Sequence, residues 1–383
     1  AREIFPLGLR VDRQMTVPDG EAIRNALAES FSQADIVFVT GGLGPTTDDI
    51  TREITAELLG LELHHDPAIL RAIEERAARR GFKLTDRVAR QAEVPEGATV
   101  LPNDHGSAPG LYLPAERAKA RPHLFLLPGP PRELHPMFRA VVVPIVRGIV
   151  PANNAVECRM FRVAGMGESL VEEAVGAELL ELPGLELGYC SRPGEMDLRF
   201  IGEASVIERA ERIVTEKLGH AIFSTDGGDL EAAVVKRLME RRQTLAVAES
   251  CTGGYLAHRI TNVPGASAVL LAGYVTYSND AKTEMLGIDP RLISEHGAVS
   301  EQVAQAMAEG ARRSARADFA LATTGIAGPS GGTEQKPVGT VFIALAAGSH
   351  GTTIDKRFFP DDRPTFKELT TQAALEMLRR RLL

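Results

Sequence analysis

Two stretches of this sequence set nucleophiles, cations and glycines at spacings that could do chemistry. In the first, Leu245-Ala246-Val247-Ala248 reads as a buried strand, followed by Glu249-Ser250-Cys251-Thr252-Gly253-Gly254 and then Tyr255 to Ile260 at helical spacing. A Ser or Cys at a strand-to-helix turn sits over helix N–H groups, which can lower a nucleophile's pKa or stabilise an oxyanion. Ser250 or Thr252 could equally cap that helix. A nucleophile needs a base. Downstream, Tyr274-Val275-Thr276-Tyr277-Ser278-Asn279-Asp280-Ala281 leads to Lys282, and a lysine desolvated in a cleft can act as one. On a solvated helix the same Lys282 would be an ordinary surface charge. Thr323 to Thr340 is a long, Gly-rich loop leaving an apolar strand. Its composition suits an anionic or phosphorylated ligand, with backbone N–H donors and Lys336 as a charge. Arg363 could add a forked phosphate contact, or pair with Asp361 or Asp362.

The second stretch is Thr40-Gly41-Gly42-Leu43-Gly44-Pro45-Thr46-Thr47-Asp48-Asp49, between the strand run Ile36-Val37-Phe38-Val39 and a helical pattern from Asp49. The glycines let backbone approach a ligand, and a helix start offers N–H groups to a phosphate. The spacing is neither a Walker loop nor a dinucleotide fingerprint. Asp49 and Glu53, four apart, would share a helix face and could hold Mg²⁺ bridging ligand phosphates. Asp48 or Asp49 could instead cap the helix. The loops Asn103–Gly110 and Pro128–Glu133 read singly as turns, but could converge with this one at a sheet edge.

The elements around these stretches must come from an α/β chain. With 383 residues, 44% hydrophobic and 25% charged, the chain is globular rather than disordered and long enough for two or three domains. Three scattered cysteines (Cys158, Cys190, Cys251) give no disulfide framework and no zinc spacing. No apolar run is long enough for a membrane helix, no signal peptide is visible, and a cytoplasmic location is expected. A net charge of −8 argues against a nucleic-acid partner. Three segments are expected. Residues 1–150 alternate strands and helices, which indicates a parallel sheet. Residues 151–227, with net charge about −7, read as β-α-β-β-α-β, a small split sandwich. Residues 228–383 alternate again. The borders are the turn-rich 150–154 and 225–228.

The residues then carry a resemblance. Ala248-Glu249-Ser250-Cys251-Thr252-Gly253-Gly254, Val275 to Lys282, Gly297-Ala298-Val299-Ser300 and Thr324-Gly325-Ile326-Ala327-Gly328-Pro329 through Lys336-Pro337-Val338-Gly339-Thr340 resemble the CinA C-terminal domain. Gly41 to Asp49 and Pro128-Gly129-Pro130-Pro131-Arg132-Glu133 resemble that family's molybdopterin-binding-like domain, and the middle segment its KH-type module. The resemblance implies a nicotinamide mononucleotide deamidase in the third domain. It implies Ser250 as nucleophile, assisted by Tyr277 and Lys282, with Gly253, Gly254, Ser267, Thr324, Gly325, Ala327, Gly328, Lys336 and Arg363 as substrate contacts. Cys251 remains open as the nucleophile on residue chemistry alone. For the first domain it implies an ADP-ribose pyrophosphatase needing a divalent metal, Mg²⁺ by choice. Gly41, Gly42, Gly44 and Thr46 would hold phosphate, and Asp48, Asp49 and Glu53 the metal. The deamidase itself is expected to need no cofactor. Family members begin with a strand, a Gly-containing turn and a helix before the point where this chain starts, so the first domain is expected to lack its opening element. A homodimer is expected. The alternatives are a molybdopterin-binding protein and a non-catalytic competence-related adaptor. The middle module, acidic and without a basic-flanked Gly-x-x-Gly loop, is not expected to grip RNA.

Overall fold

The structure is a computed structural model that describes residues 3, 4, 7, 9, 11–81, 85–116, 121–150, 156–348 and 351–383. The expected border at 150–154 lies, apart from Val150, outside the described residues. The chain divides into two compact units, Ala1–Ala155 and Val156–Leu383.

The first unit runs α1 (Glu21–Phe31), β1 (Ile36–Thr40), α2 (Thr51–Leu59), β2 (Leu63–His65), α3 (Pro67–Arg80), α4 (Asp86–Ala89), β3 (Glu93–Pro95), β4 (Thr99–Leu101), β5 (Gly110–Leu113), β6 (His123–Leu127), α5 (Pro131–Met137) and α6 (Val143–Ile149). Its main sheet has the order β1-β6-β5-β4. Only β1 and β6 are parallel; β5 runs antiparallel to both β6 and β4. The parallel pairing expected of the sheet is found for β1 and β6, and β5 and β4 extend it antiparallel. Connection 102–109 carries no helix, nor do the described residues of 114–122, and without a crossover successive strands return antiparallel. Leu124 to Leu127 are fully buried, because helices or strands cover both faces of β6.

The second unit opens with β7 (Val156–Ala164), α7 (Glu168–Leu180), β8 (Glu186–Arg192), β9 (Glu195–Glu203), α8 (Ala204–Leu218) and β10 (Ile222–Ser224). This is the β-α-β-β-α-β order read from the sequence, in an antiparallel sheet β10-β7-β9-β8. Phe161, Val163, Leu198 and Phe200 face one way and pack on Val171, Val175, Leu179, Ile207 and Val214 of the two helices.

The rest follows as α9 (Leu230–Arg241), β11 (Leu245–Glu249), α10 (Tyr255–Thr261), β12 (Leu270–Val275), α11 (Asn279–Leu286), α12 (Pro290–His296), α13 (Glu301–Ala315), β13 (Phe319–Gly325), β14 (Thr340–Ala347), β15 (Thr352–Phe358) and α14 (Arg363–Arg381). The sheet order is β12-β11-β13-β14-β15. β12, β11 and β13 are parallel, and β14 and β15 add an antiparallel edge. Side-chain size alternates along the strands. Ala246, Ala248, Ala320, Ala322, Ala344 and Ala346 form one face, against which Val303, Ala304, Met307 and Ala308 of α13 pack. Leu245, Val247, Leu321, Ile343 and Leu345 form the other, against Leu230, Val234, Leu256, Phe366 and Leu375 of α9, α10 and α14. Small residues on one face bring α13 close; bulky ones fill the other.

Two buried arginines tie the halves of this unit together. Arg162 of β7 donates to Asp197 (3.1 Å), to Glu195, and to the carbonyls of Gly227 (3.3 Å) and Gly228 (2.8 Å). Arg379 of α14 donates to the His220 and Ile222 carbonyls at 2.6 and 3.4 Å. The 225–228 border therefore falls inside one packed body.

Candidate active site

The chain leaves β11 for β12 on one side and later reaches β13 on the other. The C-terminal end of β11 is thus a switch point, where open α/β sheets form their ligand crevices. Ser250 is the first residue past that end. Its N–H bonds the Thr323 carbonyl (2.9 Å) and the Thr252 and Thr323 hydroxyls bond at 2.7 Å, so the turn is fastened to β13.

Glu249, fully buried, accepts the N–H groups of Gly254 (2.9 Å), Leu256 (3.0 Å) and Ala257 (2.8 Å). This corrects the expectation that helix donors lie beneath the nucleophile. α10 starts only at Tyr255, its first donors are spent on Glu249, and neither Ser250 nor Thr252 caps it through a side chain. Gly253 sits at φ +61°, a conformation that glycine adopts without strain, and this lets the turn close.

Lys282 of α11 is 1% exposed, and its Nζ donates to Ser250 Oγ at 3.1 Å. The same nitrogen reaches the carbonyls of Thr276 at 2.8 Å, Tyr277 at 3.3 Å and Ser278 at 3.5 Å. Among the described residues no carboxylate pairs with it. Burial pulls the Lys282 amine below the ordinary lysine value, with the neighbouring Cys251 opposing the shift. A neutral amine carries two hydrogens and one lone pair. In that form, with its hydrogens on the two nearer carbonyls, the amine can turn its lone pair to the serine hydroxyl. Cys251 is buried, and desolvation pushes its thiol up to about 12. The intrinsically better nucleophile is thereby kept protonated and out of reach.

The rim comes from three elements. The exposed Tyr277 side chain places its hydroxyl 2.8 Å from Arg363 Nη2, and Arg363 Nη1 donates to the Gly328 carbonyl at 2.9 Å. Arg363, though exposed, is thus bonded to the β13 loop and to Tyr277 and not paired with Asp361 or Asp362; Asp362 caps α14 through Thr365. Lys336 reaches the His296 carbonyl at 2.9 Å, and the Thr324 hydroxyl the Ala298 carbonyl at 2.7 Å. Gly325 closes β13, and Ala327, buried, follows it. Gly254 precedes α10 in the nucleophile turn.

In the first unit, three loops gather at one sheet edge, as read from the sequence. Gly41 N–H bonds the Leu127 carbonyl at 2.9 Å, and a Cβ on Gly129 would stand 3.3 Å from Gly41 Cα. Asn103 Nδ2 bonds Glu133 Oε2 at 3.0 Å. Gly42 lies at φ +69°, and a Cβ there would fall 2.0 Å from Thr51 Oγ1. The carboxylates depart from the expectation. α2 starts at Thr51, so Asp49 precedes the helix and shares no helix face with Glu53. Asp49 Oδ2 instead accepts from the N–H of Thr46 (2.9 Å) and from its hydroxyl, closing the Gly44–Thr46 turn. Glu53 Oε1 is held by Arg52 (3.0 Å) and Arg90 (2.9 Å). Asp48 is exposed and kept below the usual carboxylate range by a hydrogen bond from the Thr46 side chain. Among the described residues no three His, Cys, Asp or Glu side chains gather as a metal site. The three carboxylates do not fit a common cation.

Comparisons with known proteins bear on both units. Residues 228–382 match the family described as "CinA C-terminal domain", and residues 1–148 the one described as "Probable molybdopterin binding domain". The chain is 44% identical over 372 residues to a CinA-like protein of Akkermansia muciniphila, covering 97% of this chain and 89% of that one. It is 45% identical over 393 residues to a CinA-like protein of Syntrophus aciditrophicus, covering 100% and 92%. The chain belongs to the CinA family. A crystal structure of the competence/damage inducible protein CihA from Agrobacterium tumefaciens is 40% identical, covering 39% of this chain and 94% of that one, at a TM-score of 0.38.

One expected contact stands apart in this CinA chain. Ser267 lies in the turn Ala266–Ala268, before β12, and Leu270 of β12 pairs with Leu245 at the start of β11. It is therefore at the sheet end opposite Ser250. One residue escaped the sequence reading. Glu249 was visible as an acid closing an apolar strand, a placement that demands a buried partner.

No helix is long and apolar enough to cross a membrane among the described residues.

Proposed function

We propose that this CinA-family chain hydrolyses the carboxamide of nicotinamide mononucleotide, giving nicotinate mononucleotide and ammonia. The observation that carries this reading is the 3.1 Å contact between a buried, carboxylate-free lysine amine and a serine hydroxyl at the switch point of the sheet.

In the proposed sequence, neutral Lys282 takes the Ser250 proton as Oγ bonds to the carboxamide carbon. The tetrahedral adduct collapses, and Lys282 returns the proton to the departing nitrogen, which leaves as ammonia. A water then gives its proton to Lys282 and attacks the ester; Oγ leaves and recovers the proton. One lysine serves as base and acid in turn. Tyr277 and Arg363 line the rim as one bonded pair, with Lys336 and the Gly325–Gly328 loop beside them to receive the nucleotide. No step needs a cofactor.

The test is ammonia release from nicotinamide mononucleotide by the parent chain, Ser250→Ala and Cys251→Ala. Loss in the serine variant alone supports the reading; no release from the folded parent sinks it.

We propose the first unit as the seat of a second activity, ADP-ribose pyrophosphate hydrolysis, on the loop of Gly41, Gly42, Gly44 and Thr46. What supports it is the gathering of three loops at one sheet edge, with glycines where a Cβ would collide. We assign no step there to a metal, because Asp48, Asp49 and Glu53 do not converge. ADP-ribose turnover measured with and without Mg²⁺ tests it; no turnover in either condition would remove this activity.

A further inference from the structure

Four acidic residues are buried among the described residues: Glu133, Asp197, Glu249 and Glu376. A buried carboxylate is costly unless cations or hydrogen bonds surround it. Three of the four are surrounded. Asp197 meets Arg162 and Arg192, Glu376 meets Arg379 and Arg380, and Glu249 takes three N–H groups. Glu133 of α5 accepts one hydrogen bond, from Asn103 Nδ2 to Oε2 at 3.0 Å. Its Oε1 has only Arg132 Nε, at 3.7 Å and on a side chain 80% exposed, which is too long for a hydrogen bond. The Glu133 side chain keeps 11% of its surface open to solvent.

The loop after β4 is fitted to this carboxylate. Asn103 Nδ2 gives its other hydrogen to the Ala108 carbonyl at 2.7 Å, and Oδ1 accepts the N–H groups of Gly106 (2.8 Å) and His105 (3.1 Å). The amide therefore has one orientation, and it fixes which oxygen of Glu133 is bonded and which is free. A Cβ on Gly106 would fall 1.7 Å from Glu133 Oε2. Four residues before Glu133, Gly129 packs on Gly41, so the carboxylate follows directly from the contact with the glycine loop. The other acids of this edge are placed differently. Asp49 is spent on the Thr46 turn, Asp48 is exposed, and two arginines offset the charge of Glu53, which makes it a weak base. We propose that Glu133 is the general base of the first unit. Its Oε1 takes a proton from water as the water oxygen bonds to one phosphorus of the pyrophosphate. The bond from that phosphorus to the bridging oxygen breaks, the second phosphate leaves with the electron pair, and Glu133 returns the proton to it. This inference rests on the pyrophosphate reading of the first unit given above.

The experiment measures ADP-ribose turnover, ADP-ribose binding and melting temperature for the full chain, Glu133→Gln and Glu133→Asp, all with Mg²⁺ present. Glu133→Gln keeps the shape and an acceptor for Asn103. It should lower kcat by about a hundredfold or more and bind ADP-ribose as tightly as the parent. Because it removes a poorly compensated buried charge, its melting temperature should not fall. Glu133→Asp keeps a carboxylate but is one methylene short, and it should retain more kcat than Glu133→Gln. A role in packing alone predicts the reverse order, since glutamine fills the site better. That reverse order, or a Glu133→Gln chain that melts lower and binds ADP-ribose weakly, would overturn the inference. So would recovery of Glu133→Gln by raised Mg²⁺, which would make Glu133 a cation ligand. Turnover by the parent and Glu133→Gln alike would sink the base and keep the pyrophosphate reading; no turnover by the parent would sink both.

Discussion

Lys282 Nζ lies 3.1 Å from Ser250 Oγ while three backbone carbonyls, of Thr276, Tyr277 and Ser278, surround the rest of the amine. This arrangement works for either protonation state, since an ammonium donates to the hydroxyl and to carbonyls, and a neutral amine donates to two carbonyls and turns its lone pair to the hydroxyl. Burial pulls the amine below the ordinary lysine value, toward the neutral form that a base requires.

A pH dependence follows. kcat/KM should rise with pH along a limb set by Lys282, with its midpoint below the ordinary lysine value of 10.5. The sign for stability is the same. Between the depressed folded value and the unfolded one, the unfolded chain binds more protons, so stability rises with pH across that window. Lys282→Met should flatten that rise in chemical denaturation series. It should also lower kcat by about a thousandfold or more. A Lys282→Met variant that keeps the limb would assign it to another group.

Glu249 is expected to matter through the turn and not through the substrate. Glu249→Ala leaves three buried N–H groups without an acceptor, and loss of these charge-assisted bonds should cost about 3 kcal/mol or more. Thermal unfolding should show a drop of several degrees, and kcat should fall more than KM rises because Ser250 loses its fixed position. Glu249→Gln, which keeps one acceptor oxygen, should fall between.

Arg162 separates fold from chemistry. Arg162→Leu leaves buried Glu195 and Asp197 short of a counter-charge, which should cost about 3–5 kcal/mol. Below its unfolding transition the variant should still release ammonia at the parent rate. A kcat that collapses while the fold is intact would show that the β7–β10 sheet takes part in positioning the site.

The first unit offers a sharper discrimination among its carboxylates. Asp49→Ala removes the acceptor that closes the Gly44–Thr46 turn and should abolish ADP-ribose turnover. Asp48→Ala, which alters an exposed side chain, should reduce it only a few-fold. Product assays on the two variants decide. Equal losses would point to a shared cation after all.

The strands and helices of the second unit were legible because their local signals agree. Apolar runs such as Leu245–Ala248 and Phe319–Ala322 are bounded by glycine-rich turns, and α13 has a strong amphipathic face. Ser250 and Lys282 could be paired as candidates from chemistry. That Lys282 is buried could not, because its burial depends on packing among α11, α13 and the sheet. Strand direction in the first unit was missed because β4 and β5 are too short to show how they return. Asp49 and Glu53 were read as one helix face because the helix start was placed two residues early. Ser267 was misplaced for a different reason. A position in a motif fixes order along the chain, whereas the sheet fixes which end of a strand the residue meets.

The most direct test of the central claim is to quench the reaction with nicotinamide mononucleotide early, digest the protein and weigh its peptides. The account predicts an ester-linked nicotinoyl mononucleotide adduct on the peptide containing residue 250, present in Cys251→Ala and absent in Ser250→Ala. An adduct mapped to Cys251, or full turnover by Ser250→Ala, would contradict it.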